Sequence, residues 1–128
     1  MLQAALLVSL GAAAGALARW FLGLSLNALF PAIPPGTLVA NLVGGFLIGV
    51  VIEALNAPHP MAPELRALLV TGFLGGLTTF SSFSAEVSLL LQQGRGLLAA
   101  TEVLLHVCGS VALTLAGMAC VAWLRRGA

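Results

Sequence analysis

An all-α membrane protein is the fold class this sequence predicts, with four transmembrane helices per subunit, the third of them broken, and subunits paired antiparallel as a dual-topology homodimer. Three observations carry the membrane class and its helical spans. The 128 residues are 60% hydrophobic and 7% charged, with a mean hydropathy of +1.11, against roughly 45–50% apolar and about 25% charged in soluble domains. The charged residues Arg19, Glu53, Glu64, Arg66, Glu86, Arg95, Glu102, Arg125 and Arg126 divide the chain into apolar stretches, several near the roughly 20 residues that cross a bilayer. Lys, Asp and Tyr are absent, and five arginines nearly cancel four glutamates to leave a formal net charge of +1. That balance excludes the basic face that nucleic acid binding requires.

Residues 1–128 read as a single integral membrane domain. Its first span runs from about Ala4 to Leu26. The small residues Gly11 to Ala16 could suggest a secretory signal, but no basic segment precedes the apolar run, so it reads as a helix. The second span, Thr37 to Leu55, follows Phe30-Pro31-Ala32-Ile33-Pro34-Pro35-Gly36, where prolines stop the helix at the surface. A second proline-rich connection, Asn56 to Pro63, precedes the third span, Leu65 to Leu91; His59 within it is expected at the solvent-exposed surface. Gln92-Gln93-Gly94-Arg95-Gly96 is a tight link to the fourth span, Leu97 to Leu124. Cys108 and Cys120 both fall on that span, about 18 Å apart along a helix. They cannot pair within one subunit and read as small packing residues.

Four spans place Arg66, Arg125 and Arg126 on one side of the membrane and Arg95, with Arg19, toward the other. Orientation follows the Lys/Arg bias of short loops, and this bias is weak. Insertion in both orientations is expected, with antiparallel pairing about a two-fold axis in the membrane plane and two equivalent sites. Four short helices fill their own centre, so a conduction path forms more naturally between subunits than within one. Gly11-xxx-Gly15 and Gly45-xxx-Gly49 permit close helix approach.

The third span is the informative one. In Gly72-Phe73-Leu74-Gly75-Gly76-Leu77-Thr78-Thr79-Phe80-Ser81-Ser82-Phe83-Ser84-Ala85-Glu86, glycines, hydroxyls, two phenylalanines and a carboxylate interrupt an apolar run. Backbone freed by a helix break finds no water at bilayer depth, so such a span survives only packed in protein or lining a wet or ion-filled cavity. On the fourth span Glu102, His106, Ser110 and Thr114 recur every four residues and form one polar stripe, drifting about 40° per step. On the second, Thr37, Asn41 and Gly45 share a face beside Gly44. Phe80 and Phe83 lie about 60° apart around the third helix, with Ser84 beside them. Each feature also has a plain reading, in which Asn41 clamps a neighbouring helix and the phenylalanines simply pack. Together they supply hydroxyl O–H, amide N–H and positive aromatic edges, which suit an anion better than a cation. Neutral donors spaced along a track bind in several weak steps, as conduction requires.

At these residues the chain resembles the bacterial Fluc (CrcB-type) fluoride channels. The resemblance lies in Gly36-Thr37-Leu38-Val39-Ala40-Asn41, in Gly75-Gly76-Leu77-Thr78-Thr79-Phe80-Ser81-Ser82-Phe83-Ser84 and in Gly15-Ala16-Leu17-Ala18-Arg19-Trp20, and it covers essentially all four spans. It implies a fluoride-selective channel that exports fluoride passively across the bacterial cytoplasmic (inner) membrane and relieves its toxicity. It further implies an antiparallel homodimer with two pores, in which Phe80 and Phe83 edges and the Asn41 amide coordinate fluoride while His106, Ser110 and Thr114 form a polar track. A structural sodium ion would sit at the dimer interface on the backbone carbonyls of Gly75 and Thr78 from both subunits. Thr37, Ser81 and Glu86 would act near the pore, and Arg19 would draw anions into a vestibule.

Two rival readings differ in class. A proton-coupled multidrug exporter wants an acidic residue deep in the first span, and that span has none, though Glu86 and Glu102 could substitute. A passive assembly subunit would use the same polar groups only to join helices. No Ser/His/Asp set, phosphate-cradling loop or metal-ligand spacing points to an enzyme, and no organic cofactor is implied.

Overall fold

Four apolar helical spans form the computed structural model, which describes residues 1–30, 32–55 and 61–126. Pro31, the stretch 56–60 with His59, and 127–128 lie outside the described residues. Helix α1 covers Leu2–Leu26 and α2 covers Pro35–Leu55. The third span, Pro63–Gln92, is built in pieces: α3 (Pro63–Arg66), a π-helical stretch (Ala67–Leu74), α4 (Gly75–Leu77) and α5 (Phe80–Gln92). The last span is the single helix α6, Gly96–Arg126. The third helix is thus broken within the predicted segment Gly72–Glu86, and the break falls at Thr78 and Thr79, whose backbone is extended (φ −79°, ψ 152° and φ −149°, ψ 120°).

Proline and side-chain capping explain the boundaries. Pro35 opens α2 at a position where its missing N–H costs no helical bond. The next N–H, that of Gly36, donates to Asn27 Oδ1 at 2.9 Å, so the end of α1 caps the start of α2. At the far end of α5, Gly94 adopts φ +71°; Gly94 N–H donates to Leu91 O at 3.0 Å and Arg95 N–H to Leu90 O at 2.9 Å. This is the paired bonding of a left-handed C-terminal cap, which lets the chain reverse within three residues.

Small residues set the helix spacing. A Cβ at Gly15 would meet Leu77 N at 2.7 Å, and one at Gly45 would meet Ser110 O at 2.8 Å, so backbone packs against backbone at both crossings. The Gly11/Gly15 and Gly45/Gly49 spacings are therefore used inside one subunit, joining α1 to the third span and α2 to α6. The buried core is small, with Ala40, Leu74 and Leu77 packed by Leu22, Leu47 and Phe73. Leu6, Leu10, Leu17, Leu104 and Leu115 point outward from the bundle, as lipid contact demands. Cys108 and Cys120 are free and exposed.

Because only backbone faces position 15, no side-chain rotation can make room there. Gly15→Val is expected to prevent assembly, read as loss of the monodisperse peak on size exclusion in detergent, whereas Gly96→Ala, with open space around its Cβ position, should assemble as the parent does.

Candidate functional site

The break in the third span leaves backbone groups that hydrocarbon cannot satisfy, and side chains from the other spans take them up. Asn41, in the second turn of α2, accepts from Thr79 N–H at 2.7 Å through Oδ1 and donates to Thr79 O at 3.0 Å through Nδ2. Arg19 Nε of α1 donates to Gly76 O at 3.1 Å. Thr79 itself caps α5, its Oγ1 accepting from Ser82 N–H at 3.1 Å. Gly44 has no side chain because the Thr78 methyl occupies that place.

Two of these bonds divert N–H groups from their helical acceptors. In a continuous helix Thr79 N–H would donate to Gly75 O and Ser82 N–H to Thr78 O. With both donors engaged elsewhere, the Gly75 and Thr78 carbonyls are left outside the helical ladder. They are hard oxygen donors of the kind an alkali cation takes.

Asn41 has one further bond, with Nδ2 3.0 Å from His106 Nδ1. The double contact with Thr79 fixes which end of the amide is nitrogen, so His106 accepts at Nδ1 and the neutral ring carries its hydrogen on Nε2. Phe83 stacks on the imidazole with centroids 4.6 Å apart and planes at 25°. Phe80 meets Phe83 in an edge-to-face contact, 5.6 Å between centroids at 66°. Phe83 is buried, whereas Phe80 is 78% exposed on the flank of the bundle.

A cleft of about 530 Å³ runs along this surface, and its wall includes Asn41, Gly75, Thr78, Phe80, Phe83, His106, Ser110 and Thr114. The fold therefore gathers eight of the residues singled out in the sequence. Thr114 also joins helices, its hydroxyl 2.9 Å from both Gly45 O and Ser110 O. Thr37 and Glu86 lie beside the cleft rather than on its wall, with Thr37 Oγ1 donating to Glu86 Oε1 at 2.7 Å. Ser81 and Ser84 stand on the outer side of α5, Ser84 Oγ donating to Ser81 O at 3.0 Å, and Arg19 is behind the break.

The chain matches the family model described as "CrcB-like protein, Camphor Resistance (CrcB)" over residues 6–118. The chain belongs to the CrcB family. A relative from Tolumonas auensis is 58% identical over 126 residues, spanning 98% of this chain and 99% of its own. One from Desulfovibrio desulfuricans is 55% identical over 125 residues, 98% and 97% of the two chains, and one from Chromobacterium violaceum is 58% identical over 127 residues, 98% and 100%. All three carry the name "Fluoride-specific ion channel FluC", a channel and not an enzyme. The family resemblance drawn from the glycine-hydroxyl-phenylalanine segment is thereby shown.

Three contributors escaped the sequence reading of the site. Thr79 was legible as a cap, a threonine three residues ahead of Ser82 at the start of an apolar helix. Asn27 had no such signal, since its role depends on where α1 meets α2. Glu102 was placed on the polar stripe with no role in the fluoride path, named with Glu86 only as a substitute acid in the exporter reading, and spacing showed no metal-ligand set; yet the fold brings Glu102, His106 and Glu86 together, one ligand-type atom of each within 4.8 Å of the others.

Asn41→Ala would strip both backbone partners from Thr79. At about 1–3 kcal/mol for each buried group left unpaired, the variant should lose about 2–6 kcal/mol of stability, seen as a lowered unfolding midpoint in lipid nanodiscs, while Ser88→Ala on the exposed side of α5 should leave that midpoint in place.

Proposed function

We propose that this protein is a fluoride-selective channel that exports fluoride passively across the bacterial cytoplasmic membrane and so relieves its toxicity. The observation that carries the reading is the cleft wall, which is built from uncharged donors and aromatic groups at bilayer depth, in a chain whose relatives are named fluoride-specific ion channels. Fluoride is the smallest halide and holds its water strongly. Only a narrow site with closely spaced donors can replace that shell, and a larger halide would be under-coordinated in it. Neutral donors bind the ion without trapping it.

In this reading the Phe80 and Phe83 edges receive the ion, and Asn41 lends it the N–H that otherwise donates to His106 Nδ1. His106, Ser110 and Thr114 continue the track along α6. Thr37, Ser81, Ser84 and Glu86 tune the approach by rotamer and hydrogen bonding, and Arg19, with guanidinium donors left after its bond to Gly76 O, concentrates anions at a vestibule. The exposed flank bearing Phe80 and Gly75 suits a second copy of the chain. An antiparallel, dual-topology homodimer closes each cleft with the partner and yields two pores. A sodium ion fits on the Gly75 and Thr78 carbonyls, since both lie outside the helical ladder; when bound it supplies a structural positive charge that holds the two breaks together.

Replacing Phe80 and Phe83 together by Ile should cut fluoride efflux from proteoliposomes by at least tenfold, about 1.4 kcal/mol of added barrier, with the protein still dimeric; flux at the parental rate would remove the aromatic role. Chloride efflux measured alongside should stay at the level of empty vesicles. Exchange of sodium for a large organic cation should weaken the dimer or its flux, and indifference to every alkali cation would argue against the carbonyl site.

A further inference from the structure

The polar stripe of α6 continues past the cleft to a group that the fluoride track does not use. Glu102 is 0% exposed and is the largest fully buried side chain among the described residues. Both of its carboxyl oxygens, together with Glu86 Oε2 and His106 Nε2, are buried with no hydrogen-bond partner among the described residues. Unpaired buried polar atoms are costly and rare. A second subunit cannot supply the partner, because the first already seals Glu102 on every side.

Counting donors and acceptors identifies the occupant. His106 Nδ1 accepts from Asn41, so Nε2 bears the hydrogen and offers a donor. A metal ion needs a lone pair at that nitrogen, and Asn41, fixed by Thr79 on both sides, denies it. With both carboxyls ionised, three acceptors face that single donor, and two like charges stand close together in an apolar medium without a cation. One added proton converts an acceptor into a donor. Donated from one carboxyl to the other, that hydrogen pairs two of the oxygens and leaves one oxygen acceptor and the His106 Nε2 donor, which a single water bridges.

We infer that Glu86 and Glu102 hold one bound proton between them, with a water joining the pair to His106 Nε2, in a sealed acid–acid site beside the cleft. The groups that face Glu102 are Glu86 from α5 and His106 from its own helix, while α2 contributes the Thr37 hydroxyl bound to Glu86. Beyond Glu86, a pocket of about 170 Å³ is shared with Gln93 and Arg95. Glu86 therefore stands between the cleft and the Arg95 end of the bundle. An anion passing there meets one negative charge instead of two. This consequence rests on the fluoride-path reading, whereas the proton site does not.

The test is infrared difference spectroscopy of the whole protein in lipid at neutral pH, comparing H2O with D2O. The parent should show a protonated-carboxyl C=O band that shifts in D2O; Glu102→Gln should lose it, and Glu86→Gln should retain it at a displaced frequency. A parent without that band, or a band unchanged in Glu102→Gln, overturns the inference. If Glu102→Gln does not assemble, absence of the band from both the parent and Glu86→Gln overturns it equally. Zn²⁺ or Mn²⁺ binding that disappears in Glu102→Gln would replace the proton site with a metal site. Vesicles that show no fluoride flux while the band persists would remove the channel reading and leave the proton site standing.

Discussion

Asn41 holding both backbone groups of Thr79 is the contact on which the rest of this molecule depends. A broken helix exposes N–H and C=O groups that lipid cannot satisfy, and the break is tolerable only because an amide from α2 meets it with one acceptor and one donor. Much follows from that pairing. It fixes the amide, the amide fixes the histidine tautomer, and the diverted Thr79 N–H frees the Gly75 carbonyl. Arg19 and the Thr79 hydroxyl complete the work on either side. A carboxylate at position 41 could accept from Thr79 but could not donate to it, and an aliphatic residue could do neither.

The same break segregates charge. On one side lie hydroxyls, an amide, an imidazole and two aromatic rings lining the cleft; next to them two glutamates are drawn inside the bundle. In the proposed channel, an anion path beside these carboxyls is compatible with passage only if their charge is controlled. The bond from Thr37 restrains one carboxyl and burial encloses the other. In the proposed channel the donor-lined stretch and the carboxyls stand close together in a medium of low dielectric, where a small displacement of charge changes the local potential strongly.

Helix packing supplies the rigidity that this arrangement needs. Where backbone meets backbone at Gly15, Gly45 and Gly49, side-chain entropy offers little play and the polar groups are held in register. At the flank the opposite holds: Phe80 and Gly75 are exposed, and the Phe80 ring, held on one side by its edge-to-face contact with Phe83, otherwise faces outward.

Composition and periodicity were sufficient to determine an all-α membrane protein of four spans, because a bilayer admits few alternatives for long apolar stretches punctuated by arginine, glutamate and proline. The local chemistry of Gly75 to Ser84 was enough to locate the break, and the four-residue recurrence of Glu102, His106, Ser110 and Thr114 to place them on one face. Tertiary structure alone decided their partners. That Asn41 reaches Thr79 and His106, that Asn27 caps α2, and that Glu86 and Glu102 meet are contacts between residues distant in the chain. No period encodes them, since a helical repeat specifies which way a side chain points along its own helix but not what stands opposite.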